Sequence, residues 1–320
     1  MPLQSASAGI GLSKQTGKGS ASANPDYAIG ITDGAVLTVD VQQAAEERAT
    51  GYTASTGVNR TGVVSGFDFS CRAHAGSIGL LSFLALGTDT YTSPNHVFTA
   101  NSSVNYATVF GSQTGNSFDL QDAKVDTLEF SWDGNNPLQV KASGMGTSLT
   151  PRGTAWTIGT DDTYAAYMRP AGGTFSVDVD GASGTTAISK ITSGSVTLSR
   201  NLQEIMVSGT ITPNDVFEGR LDVECSFDVV IDAWRTIVTG TNSGTTASST
   251  PVYGTFSCQF TDGTNTLTLA GSRVAFTADF PSADPAGGYL TMTLAGISVM
   301  PAAGGTPITI TLNGGKTSAY

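Results

Sequence analysis

Two histidines, three cysteines and a few carboxylate pairs are the side chains in this sequence whose types could do chemistry. His74 and His96 are candidate general bases, but no serine, cysteine or aspartate at nucleophile or triad spacing frames either one. A capping or surface role accounts for them better. Asp178 and Asp180 alternate as calcium ligands do, without the glycine and glutamate that complete a calcium loop; they read as solvated strand carboxylates. Asp161-Asp162 and Asp133-Gly134 are turn residues, and Gly9-Ile-Gly11 precedes no phosphate-binding helix. Cys71, Cys225 and Cys258 are odd in number, lack metal spacing and lie inside strand patterns, so they read as buried reduced thiols. Trp132, Trp156 and Trp234 are far apart, and Trp234 reads as core rather than as a sugar-stacking surface. Asn59-Arg-Thr61 and Asn101-Ser-Ser103 fit the glycosylation pattern, which chance supplies often. No acidic pair stands out as the facing carboxylates of a glycosidase. The sequence reads as non-enzymatic, with no catalytic residue, metal site or cofactor.

The totals narrow the class. The 320 residues suffice for two domains, 13% of them are charged, and the net charge is −11 with a pI near 4.4. An acidic surface argues against wrapping nucleic acid, which needs Lys and Arg on phosphate, but is compatible with a surface that repels DNA. The 39 glycines taken alone suggest disorder, yet β-branched and aromatic residues fall in alternating runs, which favours short strands and many turns. No stretch is long and apolar enough to span a membrane as a helix, and Met-Pro-Leu-Gln-Ser-Ala-Ser-Ala lacks the regions of a secretory signal. Together these point to assembly in a cytoplasm.

The elements are organised around Thr192 to Asp232. Leu221, Val223, Cys225, Phe227, Val229 and Ile231 alternate with Asp222, Glu224, Ser226 and Asp228, so one row faces a core and the other faces water. The preceding strand begins near Gly194 with Val196 and Leu198 inward; Arg200 breaks the row, and Ile205 and Val207 resume it on the other parity, as a bulge near Asn201 would produce. A loop from Gly209 to Gly219 joins the two. Such a ribbon is marginal alone and must find neighbours.

The rest of the chain repeats this stretch. Thr32, Gly34 and Val36, in a strand over 32–41, match Thr192, Gly194 and Val196; Asp68 matches Asp222 and Cys71 matches Cys225. A short helix from Ser77 to Gly87 answers one from Asp232, its N-cap, to Gly240. Strands at 106–110, 124–130 and 138–144 answer strands at 253–257, 273–277 and 290–296. The shared order predicts two copies of one mostly-β unit. The predicted organisation is an extended arm over 1–27, a first unit over 28–148, a second over 149–300 opening with a strand at 174–180, and a C-terminal strand or arm over 301–320 with no partner inside either copy.

With these residues in view, the chain resembles phage tail tube proteins of the long, flexible, non-contractile type. The resemblance rests on Ser193 to Leu198, the loop Thr212 to Phe217, the strand Leu221 to Phe227, the helix at Trp234 and the Asp262-Gly263 turn. In the first half it rests on Gly17-Lys-Gly19, Asn24 to Tyr27 and the helix end Leu84 to Gly87. It covers nearly the whole chain. It implies an all-β protein of two tandem β-sandwich or barrel units, each with one short helix, whose long hairpins join a ring-wide β-barrel. Rings stack into a hollow tube in the virion tail, through which DNA passes at ejection without specific binding. Implied partners are further copies of the chain, the tape measure protein and other tail proteins.

Closing ribbons into a barrel removes their edges. Asp222, Glu224, Asp228, Asp68 and Ser70 are expected to face the bore, with Arg72 and Arg200 softening its negative field. Pro213, Asn214, Asp215, Phe217, Glu46 and Glu47 are expected to touch the next ring. Two units per chain predict a trimeric ring with pseudo-sixfold symmetry, with a hexamer as the alternative. Other readings are a baseplate hub or tail-completion ring, and a non-catalytic adhesin or carbohydrate-binding sandwich.

Overall fold

A computed structural model describes residues 8–34, 36–45, 58–113, 116–153, 156, 160–161, 166–180, 187–231, 237–238, 241, 251–281, 289–301 and 305–320. The first half contains β1 (Ala8–Lys14), β2 (Tyr27–Ile29), β3 (Ile31–Gly34), β4 (Thr38–Ala45), β5 (Val58–Arg72), α1 (Ala75–Leu86), β6 (Gly87–Thr92), β7 (Asn95–Ala100), β8 (Ala107–Gln113), β9 (Asn116–Asp133), β10 (Gln139–Gly146) and β11 (Ser148–Arg152). After the two-residue β12 (Thr160–Asp161) come β13 (Phe175–Asp178), β14 (Ala187–Ile188), β15 (Ile191–Ser199), β16 (Gln203–Ile205), β17 (Asp215–Phe217), β18 (Asp222–Val230), β19 (Gly254–Thr261), β20 (Thr266–Ala278), β21 (Thr291–Ser298) and β22 (Thr309–Asn313). Among the described residues the chain is all-β apart from α1 and helical backbone at Ile237 and Val238.

Eight strands form one continuous antiparallel run in the order β4-β5-β10-β9-β15-β18-β21-β20. The two halves use the same pairing order. In the first it is β1-β8-β9-β10-β5-β4, and in the second β13-β19-β20-β21-β18-β15. They also share a bulge. Ile31 pairs with Cys71 and Asp33 with Ser70; Ile191 pairs with Val229 and Ser193 with Asp228. In this register Phe69 stands where Phe227 stands, and Cys71 where Val229 stands. Matching Asp68 to Asp222 and Cys71 to Cys225 is therefore off by four residues, whereas matching Gly34 to Gly194 agrees with the pairing.

The core forms where strand alternation meets the helix. β18 buries Val223, Cys225, Phe227 and Val229 and leaves Asp222, Glu224, Ser226 and Asp228 on the other face. α1 is apolar all round, so it is buried all round except at Gly76, as expected of a helix inside a protein rather than on its surface. Gly87 ends it in the left-handed region at φ 95°, and its N–H returns to the Phe83 carbonyl. Trp132 of β9 enters the second half's core, with ring centroids 5.1 Å from Phe260, 5.8 Å from Phe175 and 6.1 Å from Phe227. Gly194, paired with Trp132, leaves room for that ring.

Four expectations change. Regular structure is already present at Ala8: β1 pairs with β8 and β2 and buries Ile10 and Leu12, so residues 8–14 are not part of a loose arm. The strand over 32–41 is broken into β3 and β4. The C-terminal strand has partners, because β22 lies between β20 and β7. β15 ends at Ser199, and Ile205 belongs to a separate ribbon of β16 and β17 rather than to a continuation. Asn201, with φ 51°, turns the chain between them. The second helix from Asp232 lies outside the described residues apart from Ile237 and Val238.

Candidate functional site: a polar sheet face and the ribbon beside it

The eight-strand run turns one face to the core and the other outward. Following pairs from β5 across to β20 traces outward rows. One runs Ser70, Lys141, Glu129, Thr197, Glu224, Ile297, Ala275. The row beside it runs Arg72, Gln139, Ser131, Ser195, Ser226, Ala295, Thr277. Asp68, Ser143, Thr127, Ser199 and Asp222 follow on one side, and Asp133, Ser193, Asp228 and Thr293 on the other.

All five residues expected at a bore, Asp222, Glu224, Asp228, Asp68 and Ser70, therefore share this face. Glu129, Asp133 and Lys141 join them; only their place in β9 and β10 reveals it. Lys141 and Arg72 are the bases in these rows against six carboxylates: Asp68, Glu129, Asp133, Asp222, Glu224 and Asp228. Lys141 Nζ lies 3.9 Å from Asp68 Oδ1, both side chains about half exposed, so screening leaves this pair weak. Asp228 is held by hydroxyl donors, Ser193 and Thr293, each at 2.7 Å. Arg200 does not belong here. It is buried, and its guanidinium donates to the carbonyls of Ala85, Leu86 and Asn101.

At one end of this face the β16–β17 ribbon is moored by charges. Lys124, buried in β9, donates to Glu218 Oε1 at 2.8 Å and to the Val216 carbonyl at 2.7 Å, and lies 4.3 Å from the centre of the Tyr106 ring. The Tyr106 hydroxyl donates to Asp215 at 3.0 Å, and Lys18 pairs with the same carboxylate at 3.1 Å. Burial, with Asp215 beside it, pushes the Tyr106 phenol up to about 12. Burial also works to raise Asp215 and Glu218. Hydrogen bonds from the Val216 N–H, Lys18 and Tyr106 to Asp215, and from Lys124 and the Val104 N–H to Glu218, outweigh it and hold both below their ordinary values.

Among the expected inter-ring residues, Asn214 and Phe217 are exposed, Phe217 at 58%. Pro213 is buried and Asp215 is turned into the mooring, so these two anchor the ribbon. Glu46 and Glu47 lie outside the described residues. Ile205, Met206, Val207 and Ile211 are exposed as well and form an apolar tip that the sequence reading missed, while Phe217 pairs with Gln203 at the other end of the ribbon.

The remaining reactive groups are structural. The three cysteines are buried and not in disulfides; burial raises the Cys225 thiol to about 12 and raises Cys258 as well. His74 occupies the N-cap position of α1 without a side-chain cap bond and is buried, not on the surface. His96 is buried between Asp89 Oδ2 at 3.0 Å and the Lys316 carbonyl at 2.7 Å. That carbonyl only accepts, so Nε2 carries a proton towards it. Among the described residues, no group of three or more His, Cys, Asp or Glu is placed to hold a metal, and no helix is long and apolar enough to cross a membrane.

Residues 5–314 match the family model of phage tail tube proteins. The chain belongs to the phage tail tube protein family. A search of curated proteins finds no match. As a tail tube protein it is a structural component of the virion tail, in a family whose members assemble into a tube that DNA passes through. The match takes in β1 and β22, the two segments that the sequence reading set apart as arms.

Proposed function

We propose that the chain is a two-unit tube subunit, that three copies close a ring with pseudo-sixfold symmetry, and that the polar face of the eight-strand run lines the bore. The observation that carries this reading is the repeated pairing order with its repeated bulge, which supports two copies of one unit each contributing four strands. Eight strands per chain and three chains make 24. At about 4.8 Å between strands and a tilt of about 40°, such a barrel measures roughly 45–50 Å across its backbone. Six chains contributing eight strands each would roughly double that width. The acidic, hydroxyl-rich rows support a bore that repels phosphate and lets DNA slide. The exposed apolar side chains of the ribbon, Ile205, Met206, Ile211 and Phe217, support a contact with the next ring, and a tape measure protein filling the bore before DNA is the remaining implied partner.

Symmetry-resolved electron microscopy of assembled particles tests this. The expected result is three chains per ring with both halves lining one bore. Six chains per ring with only one half on the bore, or a chain that stays monomeric at high concentration, overturns it.

A further inference from the structure

The junction between the two halves is itself a template for a junction between copies. Inside the chain, β9 pairs with β15, and Thr127 stands opposite Ser199. The second half ends its run at β20. The stretch Ala275–Ala278 of that strand pairs with β21 along one edge and, among the described residues, with no strand along the other, since β19 reaches no further than Val274. The first half begins its run at β4, which among the described residues pairs with β5 alone.

Pairing registers show which residues correspond. Phe69 pairs with Ala142 and Ala142 with Leu128; Phe227 pairs with Leu294 and Leu294 with Ala278. Thr127 thus corresponds to Thr277. On the other side, Thr38 pairs with Gly66, and Thr197 pairs with Glu224, the position corresponding to Gly66. Asp40 thus corresponds to Ser199.

We infer that β20 of one copy pairs antiparallel with β4 of a second copy, in the register Thr277 opposite Asp40, with Ala278 opposite Val39 and Asp279 opposite Thr38, as Thr127, Leu128 and Glu129 stand opposite Ser199, Leu198 and Thr197. This rests on the tube reading and deepens it by assigning the seam. The faces agree. Thr277 lies on the polar face, and Asp40 is on that side of β4; Phe276 is fully buried on the core side, where Val39 and Val41 also point. A slip of one residue would set Val41 against Thr277 and turn an apolar row towards water.

Exposure points the same way. Val39 is 51% exposed, while Leu198, which corresponds to it inside the chain, is 1% exposed. The strand β4 is built to be covered, and none of the described residues of its own chain covers it. β4 and β20 lie at opposite ends of the run and do not pair with each other, so a second copy is the partner that supplies the missing strand. The resulting interface is head-to-tail, the kind that closes rings.

Cysteine pairs test the register. Oxidation of assembled Asp40→Cys, Thr277→Cys protein should link copies into covalent rings on a non-reducing gel. Either substitution alone should link nothing, and mixing the two single variants should yield only mixed dimers. Thr38→Cys with Thr277→Cys, a same-face pair two residues out of register, should link at least about tenfold more slowly, because Cα atoms beyond about 7 Å do not bridge. Should the first pair impair assembly, Thr38→Cys with Asp279→Cys reads the same register, in the place that Thr197 and Glu129 hold inside the chain. If unaltered protein assembles but neither in-register pair links, or the out-of-register pair links faster, the seam is overturned and the tube reading stands. If unaltered protein stays monomeric at high concentration, the tube reading fails and the seam falls with it.

Discussion

The guanidinium of Arg200 caps the helix that ends at Leu86, donating from Nη2 to the Leu86 carbonyl at 2.8 Å. Nε reaches Ala85 at 2.8 Å and Nη1 reaches Asn101 at 2.9 Å, so one fork serves three carbonyls around the helix end, of which that of Leu86 also accepts from the Asn101 N–H at 2.7 Å. A cation there also opposes the negative end of the helix dipole. The residue comes from the second half and the helix from the first, so this contact ties the halves together away from the sheet.

Replacing Arg200 by Met should cost about 3–5 kcal/mol, because buried carbonyls lose charged donors. Arg200→Lys should recover less than half of that, since an ammonium cannot present the planar fork. Urea unfolding of the purified chain measures both. A change below about 0.5 kcal/mol for either would mean that water replaces the fork.

The ribbon mooring predicts a pH dependence. Glu218 and Asp215 sit below their ordinary values of 4.5 and 3.8 in the folded chain. The unfolded chain therefore binds more protons as the medium becomes acidic. Their stabilisation is complete above those ordinary values and is lost as the pH falls through the lowered ones. Glu218→Gln should flatten the decline of the urea midpoint between about pH 5 and pH 3. Tyr106 gives the opposite limb: its contribution is complete below 10.0 and is lost as the pH climbs towards about 12. Tyr106→Phe should remove that limb, and identical alkaline profiles for the two proteins would refute the assignment.

Gly194 and Trp132 set up a packing prediction. A Cβ on Gly194 would come within 2.7 Å of Trp132 Cζ2 and 2.8 Å of the Ser226 carbonyl oxygen. Gly194→Ala should destabilise by about 1–3 kcal/mol through overpacking, with the urea m-value unchanged. Combining it with Trp132→Leu, which opens the space, should give less than the sum of the two costs. Strict additivity would show that the two residues do not compete for room.

The sequence made some of this legible and hid the rest for physical reasons. The alternation from Leu221 to Ile231 exposes β18 and its polar row, because a strand has a period of two. That same period makes register ambiguous: Asp68 fits Asp222 as well as it fits Ser226, and only the bulge at Ile31 and Ile191 decides between them. β1 hides because Ala-Gly-Ile-Gly-Leu carries little side chain, and what orders it is burial of Ile10 and Leu12 by β8 and β2, far along the chain. Lys124 and Arg200 look like surface charges. Their acceptors, Glu218 and the end of α1, come close only in the fold. Glu129 and Asp133 belong to the polar rows for a similar reason, since β9 joins that face by pairing with β15.

The charge on the polar face gives the prediction closest to function. Glu129 and Glu224 are two steps apart in one row, with Thr197 between them. If this face lines the bore, each ring presents both residues three times to whatever passes. Reversing them as Glu129→Lys and Glu224→Lys should leave folding nearly unchanged, since both are on the outward face and neither is held by a buried partner. It should turn the bore from repelling phosphate to holding it. Tubes of the double variant should retain short duplex DNA at low salt and release it as salt rises, with log affinity falling by about 0.9 per phosphate neutralised for each unit of log salt. Unaltered tubes, and tubes carrying Glu129→Gln and Glu224→Gln, should retain none, because removing repulsion creates no attraction. Equal retention by all three would place this face away from the DNA path.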